Sequence, residues 1–159
     1  MAITQSADPI TRHPVSGEVE FGIGERKVPQ TAHVAYFWET EREFANGVRF
    51  LEAGLRGLDH CVIFGHEEAN QAVCNILQNH GFEVKDLLAQ QRITILGGNP
   101  SGEKILETIR GALQQAFVRG TPLIRLLGNI GWGKPGWPGD YDLLAFEAKV
   151  TAAAKEFPC

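Results

Sequence analysis

Short apolar runs alternate along this chain with longer amphipathic ones, and that alternation limits the folds open to it more than any other feature. "HVAYFW" (33–38), "HCVIFGH" (60–66), Arg92 to Leu96 and Pro122 to Leu127 have the length of strands. Between them lie stretches with helical spacing. Phe44, Val48, Leu51 and Leu55 follow steps of four, three and four, and Glu67 to His80 is stopped by Gly81. Gly102 to Arg119 carries Ile105, Ile109, Leu113 and Ala116 on one stripe, and Tyr141 to Phe157 carries Leu143, Phe146, Val150, Ala153 and Phe157. A strand that is apolar at successive positions must be covered on both faces, and strands separated by helices must pair in parallel. The pattern predicts an α/β fold with a mostly parallel sheet, helices on both faces, and a ligand crevice at the carboxyl ends of the strands.

Residues 1–30 hold Pro9, Pro14 and Pro29 without a sustained apolar period, so they read as an extended lead-in to a single domain over 31–159. With 43% hydrophobic and 21% charged residues in 159, that domain can bury a core of its own. A net charge of −4 without a local Lys/Arg cluster argues against nucleic acid as a direct partner. No run approaches the roughly 20 apolar residues of a membrane span, and no hydrophobic leader core opens the chain, so a cytoplasmic location is expected. Cys61, Cys74 and Cys159 lack metal-type spacing, which leaves Cys61 and Cys74 as small buried hydrophobes.

The junction at Glu39 to Glu43 stands where many α/β proteins keep a glycine-rich phosphate loop. Thr40 followed three residues later by Glu43 is a capping box, which fills the helix N-terminus with the protein's own carboxylate. A phosphate would be repelled there. Further on, Gly97 and Gly102 have the separation of a Walker A loop, but Glu103 takes the lysine position, Lys104 comes one residue late and no Ser/Thr follows. No acidic residue ends the strand "PLIRLL" to hold magnesium, and Asn129 takes that region instead. His33 and His60 should begin strands while His66 should end one, so the three cannot share a metal ion. No cofactor and no catalytic group is expected.

Aromatic and neutral polar residues do gather at the expected strand ends: Trp38, Phe64, His66, Asn129 and Trp132, the last in a Gly/Pro-rich loop. They either plug the end of the sheet or line a pocket. Glu147, at the edge of the last helical stripe, is either solvated or turned toward Arg125 or that pocket.

"HVAYFWETEREFANGVRFLEAGLRGLDHCVIFGHEE", "IRLLGNIGW" and the helix with "FEAKV" resemble the MEDS domain, the methanogen/methylotroph DcmR-type sensory domain. That family is similar in turn to the KaiC and RecA ATPase core. The resemblance implies a three-layer RecA/KaiC-like fold with a degenerate phosphate loop at "FWETEREF", and a non-catalytic sensor of small organic molecules, hydrocarbon derivatives among them. Matched residue by residue, His33, Tyr36 and Glu39 fall in the opening motif, Arg125 and Trp132 in the later strand, and Glu147 in the helix. Such domains are joined to DNA-binding or kinase modules, so output here is expected through a kinase or transcription-regulator partner, with room for a homo-oligomer. The chain stops at "FPC", where the alternation leads one to expect another strand, so a truncated or a naturally short domain are both open. A residual nucleotide-binding or ATPase domain and a docking scaffold are the rival readings.

Overall fold

A computed structural model describes residues 17–97, 102–129 and 140–159. At its centre is β3 (His60–Gly65), buried at all six positions. β3 pairs in parallel with β4 (Ile93–Leu96) on one side and β5 (Ile124–Asn129) on the other, giving the order β4-β3-β5. Alternation along β3 sends its side chains to two separate cores. Cys61 and Ile63 pack with Val48, Leu51 and Leu55 of α1 (Glu41–Leu55) and with Val73 and Leu77 of α2 (Glu67–Asn79). Val62 and Phe64 pack on the other face with Ile105, Ile109 and Leu113 of α4 (Gly102–Val118) and with Leu143 and Phe146 of α5 (Asp140–Ala154). The parallel sheet with helices on both faces agrees with the sequence pattern.

Local chemistry sets the helix ends. Thr40, in extended conformation at φ −124° and ψ 154°, accepts the Glu43 N–H, and the Glu43 carboxylate reaches back to the start of α1. His66 begins α2 by accepting the Ala69 N–H at 3.3 Å. Glu52, buried on α1, is held by Arg56 at 3.1 Å and by His80 at 2.5 Å, which ties α1 to the end of α2. Burial pushes the Cys61 thiol up to about 12, so it stays a neutral core group.

Three elements depart from the sequence reading. The lead-in holds an antiparallel hairpin, β1 (Glu18–Glu20) and β2 (Lys27–Pro29), with Val19 opposite Val28. Its turn uses Gly22 at φ 87° and Gly24 at φ 66°, and Phe21 stacks on Phe50 of α1 at 5.5 Å. A short helix, α3 (Val84–Ala89), precedes β4. The run 33–38, expected as the first strand, joins no ladder of the described residues. The position beside β5 that would bring it into the sheet is taken at one end by Pro158, whose carbonyl accepts the Ile124 N–H at 2.7 Å.

Arg125 holds these layers together. Its Nε donates to Asp59 Oδ2 at 2.7 Å, and one terminal nitrogen donates to the carbonyls of Glu20 at 2.7 Å and Phe50 at 3.2 Å. The guanidinium lies 5.2 Å from the Phe50 ring centre. Gly54 makes the approach feasible, since a Cβ there would stand 2.6 Å from Arg125 Cδ. With Arg125 only 4% exposed, its charge depends on Asp59. Asp59→Ala should therefore cost about 3 kcal/mol or more in urea unfolding, because it strands a buried cation. Removing the exposed Lys27–Glu20 pair should leave the midpoint unchanged.

A second prediction concerns acid. Buried His60 faces the Gln91 carbonyl at 2.8 Å and Thr94 Oγ1 at 2.9 Å, and burial holds its pKa below the ordinary value, aided by Arg119 and Arg92. The folded state therefore favours the neutral ring, while the unfolded chain takes up a proton near pH 6.5. This contribution is complete above about pH 6.5 and is lost as pH falls toward the lower folded value. Between pH 7 and about pH 5, the unfolding free energy of the wild type should fall more steeply than that of His60→Gln.

Candidate functional site

At the carboxyl edge of the sheet, Gly65 of β3 stands in register with Asn129 of β5. From these ends the chain leaves for opposite faces: α2 packs on the α1 side and α5 packs against α4. That divergence is the topological switch point at which open α/β sheets form ligand crevices. A cleft of about 200 Å³ runs along the outer side of β5 from Leu123 to Asn129, between β5, α1, α5 and the segment 28–38, and reaches this edge at Phe64 and Asn129.

The cleft brings together seven of the residues singled out in the sequence: His33, Tyr36, Trp38, Phe64, Arg125, Asn129 and Glu147. Phe64 and Phe146 meet at 5.9 Å between ring centres, and Gly128 leaves them room, since a Cβ there would stand 3.3 Å from the Phe64 ring. Tyr36 donates its hydroxyl to the Glu43 carbonyl at 2.9 Å and accepts from Asn46 at 3.3 Å. Its ring packs close against α1 at Gly47, where a Cβ would come within 2.9 Å of a ring carbon. Trp38 packs against Phe44 in a tilted arrangement, 5.2 Å between ring centres, and remains 43% exposed.

His33 clasps the segment to α5. Its Nε2 lies 3.1 Å from the Glu147 carboxylate and its Nδ1 lies 2.6 Å from Thr151 Oγ1, while the Thr151 hydroxyl donates to the Glu147 carbonyl at 2.8 Å. Both ring nitrogens therefore face oxygens. Glu147 is turned to His33 rather than to Arg125, whose donors are directed to Asp59, Glu20 and Phe50.

Two of the other singled-out residues have different work. His66 caps α2 and does not line the cleft. Glu39 lies in the acidic turn, where its N–H donates to Glu43 Oε2 at 2.9 Å, beside the Thr40 N–H at 3.0 Å. These bonds hold the Glu43 carboxyl below its usual range. The turn is therefore occupied by an internal anion. Trp132 and most of the Gly97–Gly102 turn fall outside the described residues.

Sequence reasoning did not single out Asn70. It is 5% exposed, and its Nδ2 donates to the carbonyls of Gly65 at 3.1 Å and Leu96 at 3.0 Å, tying together the carboxyl ends of β3 and β4. An amide within the stripe Ala69, Val73 and Leu77 was the available signal. Among the described residues, no group of three or more His, Cys, Asp or Glu is placed to share a metal ion, and no helix is long and apolar enough to cross a membrane.

No curated protein and no solved structure matched this chain. The family model for the methanogen/methylotroph, DcmR sensory domain matches residues 32–159, which takes in most of the residues that line the cleft but not those from Val19 to Thr31. On that match the chain belongs to the MEDS family of sensory domains.

Proposed function

We propose that the chain is a non-catalytic, cytoplasmic sensory module whose cleft takes a small uncharged organic molecule and reports its presence to a separate regulatory partner, a kinase or transcription regulator. The observation that carries this reading is the convergence of His33, Tyr36, Trp38, Phe64, Asn129 and Glu147, from four separate stretches, on one cleft whose single arginine is already engaged. Apolar walls with a few polar groups suit a neutral ligand. The volume supports a small one: about 200 Å³ is below the roughly 300 Å³ where drug-sized sites begin, and a dry apolar cavity of about 150 Å³ accepts benzene.

The finer reading is that the turn at Trp38 to Glu43 is a phosphate loop that has given up its phosphate, on a core of KaiC/RecA type. The internal Glu43 carboxylate supports it, since the two N–H groups that would meet a phosphate are already bonded. Nucleotide binding at Gly97–Gly102 is the rival, and ligand choice separates the two.

Thermal unfolding should show stabilisation by benzene or toluene and none by millimolar ATP with magnesium. A ligand at 100 times its dissociation constant adds about 2.7 kcal/mol, well within detection. Trp38→Ala should abolish the gain while leaving the free protein folded, because that ring is half exposed. Stabilisation by MgATP would overturn the proposal, as would aromatic stabilisation that survives in Trp38→Ala.

Glu43→Ala separates folding from sensing. It removes the carboxylate that closes the capping box but touches no cleft wall, so the melting temperature should fall while affinity for the aromatic probe stays constant. A tenfold loss of affinity at unchanged melting temperature would place Glu43 in the site instead.

A further inference from the structure

The β1–β2 hairpin gives the cleft a wall of its own. Glu18, Glu20 and Lys27 are exposed, while Val19, Phe21, Ile23 and Val28 line the cleft with apolar side chains alone. The family model begins at residue 32, so this wall precedes the matched segment and its effect on the cleft does not follow from family membership.

The hairpin is seated at one end of the cleft. On β5 it meets Arg125, which donates to the Glu20 carbonyl at 2.7 Å, and on α1 it meets Phe50, whose ring centre lies 5.5 Å from that of Phe21. The other end is marked on the same two elements by Asn129, which closes β5, and by Phe44, near the start of α1, against which Trp38 packs. Arg125 to Asn129 is roughly 13 Å at strand rise, and Phe44 to Phe50 is roughly 9 Å at helical rise. Along that length there is room for one ring and a short chain, with Trp38 and Asn129 at one end and the hairpin at the other.

The hairpin is also held firmly. Gly22 sits so close to α1 that a Cβ would stand 2.5 Å from the Arg49 carbonyl oxygen, and the Gln30 N–H donates to the Gly17 carbonyl at 2.8 Å where the hairpin returns to the domain. A molecule that pushed the hairpin aside would take the Glu20 carbonyl away from Arg125, which is 4% exposed, and leave a buried cationic donor unmet. A wall anchored in this way resists a long ligand rather than moving with it.

We propose that the β1–β2 hairpin sets the length of molecule the cleft accepts, with Phe21 and Ile23 as the residues that limit it; this rests on the ligand reading above. Of the two, Ile23 is the adjustable one. Phe21 is packed on Phe50, and Val19 and Val28 oppose each other in the ladder, whereas Ile23 lies in the turn between Gly22 and Gly24 and pairs with no strand residue. Its size can therefore change without disturbing the hairpin's register. A smaller side chain there lengthens the cleft, and a larger one shortens it.

The test titrates the full chain calorimetrically with toluene and with propylbenzene, in the wild type, Ile23→Ala, Ile23→Trp and Lys27→Gln. The ratio of the propylbenzene Kd to the toluene Kd should fall at least tenfold in Ile23→Ala and rise at least tenfold in Ile23→Trp. Lys27, exposed on the hairpin and outside the cleft lining, is the control, and its variant should keep the wild-type ratio. If one Ile23 variant does not fold, the other decides alone. A ratio that fails to move in the stated direction in a folded Ile23 variant, while toluene still binds, overturns the role of the hairpin and leaves the ligand reading standing. An equal change in Lys27→Gln overturns it as well, because the effect would then not come from the wall. Absence of toluene binding to the wild type overturns both.

Discussion

The rest of this structure depends on a buried cation. Arg125 sits on β5 yet bonds to the residue before β3, the end of β1 and the middle of α1, so one side chain fixes four segments that the sheet ladder alone would not align. Such an arrangement is tolerable only if every donor it turns inward is met, because an unpaired buried charge costs several kcal/mol. That requirement reaches back into the sequence as small residues at close approach. Gly54 has no room for a side chain beside Arg125, and Asp59 must directly precede β3 for its carboxylate to meet Nε. Arg125 faces the cleft, but its Nε and one terminal nitrogen are engaged in holding β5 in place.

Elements whose cause is local were legible in the sequence. β3 shows itself as a continuous apolar run because both its faces are covered, and α1 shows itself through Thr40, Glu43 and the stripe from Val48 to Leu55. What failed was pairing. The run 33–38 has the composition of a strand, but membership of a sheet is a property of neighbours, and among the described residues the place beside β5 is taken at Pro158 and Cys159. The hairpin was illegible for a different reason: strands of three residues offer one partly buried side chain each, Val19 and Val28, too few to establish a period. α3, at six residues, lies below the length at which helical spacing repeats.

The candidate site was legible to the extent that topology dictates it. Strand-end residues far apart in sequence must meet if the sheet is parallel, which places Phe64 and Asn129 together. Their individual duties could not be inferred this way. His66 and Glu39 lie at the right edge but are used by the helix starts that follow them, an ambiguity built into strand-to-helix turns, where the first free N–H groups compete for any nearby acceptor. In the acidic turn that competition has gone to Glu43. Its carboxylate meets the Glu39 and Thr40 N–H groups as an external anion would, and it carries no rotational or translational cost because it belongs to the same turn.

The two walls of the cleft are held by different kinds of contact. The β5 wall is hydrogen-bonded to β3 along its length and locked by Arg125. The opposite wall, 31–38, is held by the Thr31 bond to Cys159, by the half-exposed His33 clasp on Glu147 and Thr151, and by Tyr36 lying on Gly47. Exposed polar contacts of the His33 kind contribute little individually. A ligand shifts an equilibrium only by its difference in affinity for the two states. On the function proposed above, a molecule that touched both Phe64 on the β5 wall and Trp38 on the opposite wall would convert contact area into that difference. Val34 and Phe37 stand solvent-exposed on the same wall as Trp38, at 43% and 86%. Any displacement that closes the cleft is therefore also a displacement of an exposed apolar surface, the kind a partner can read.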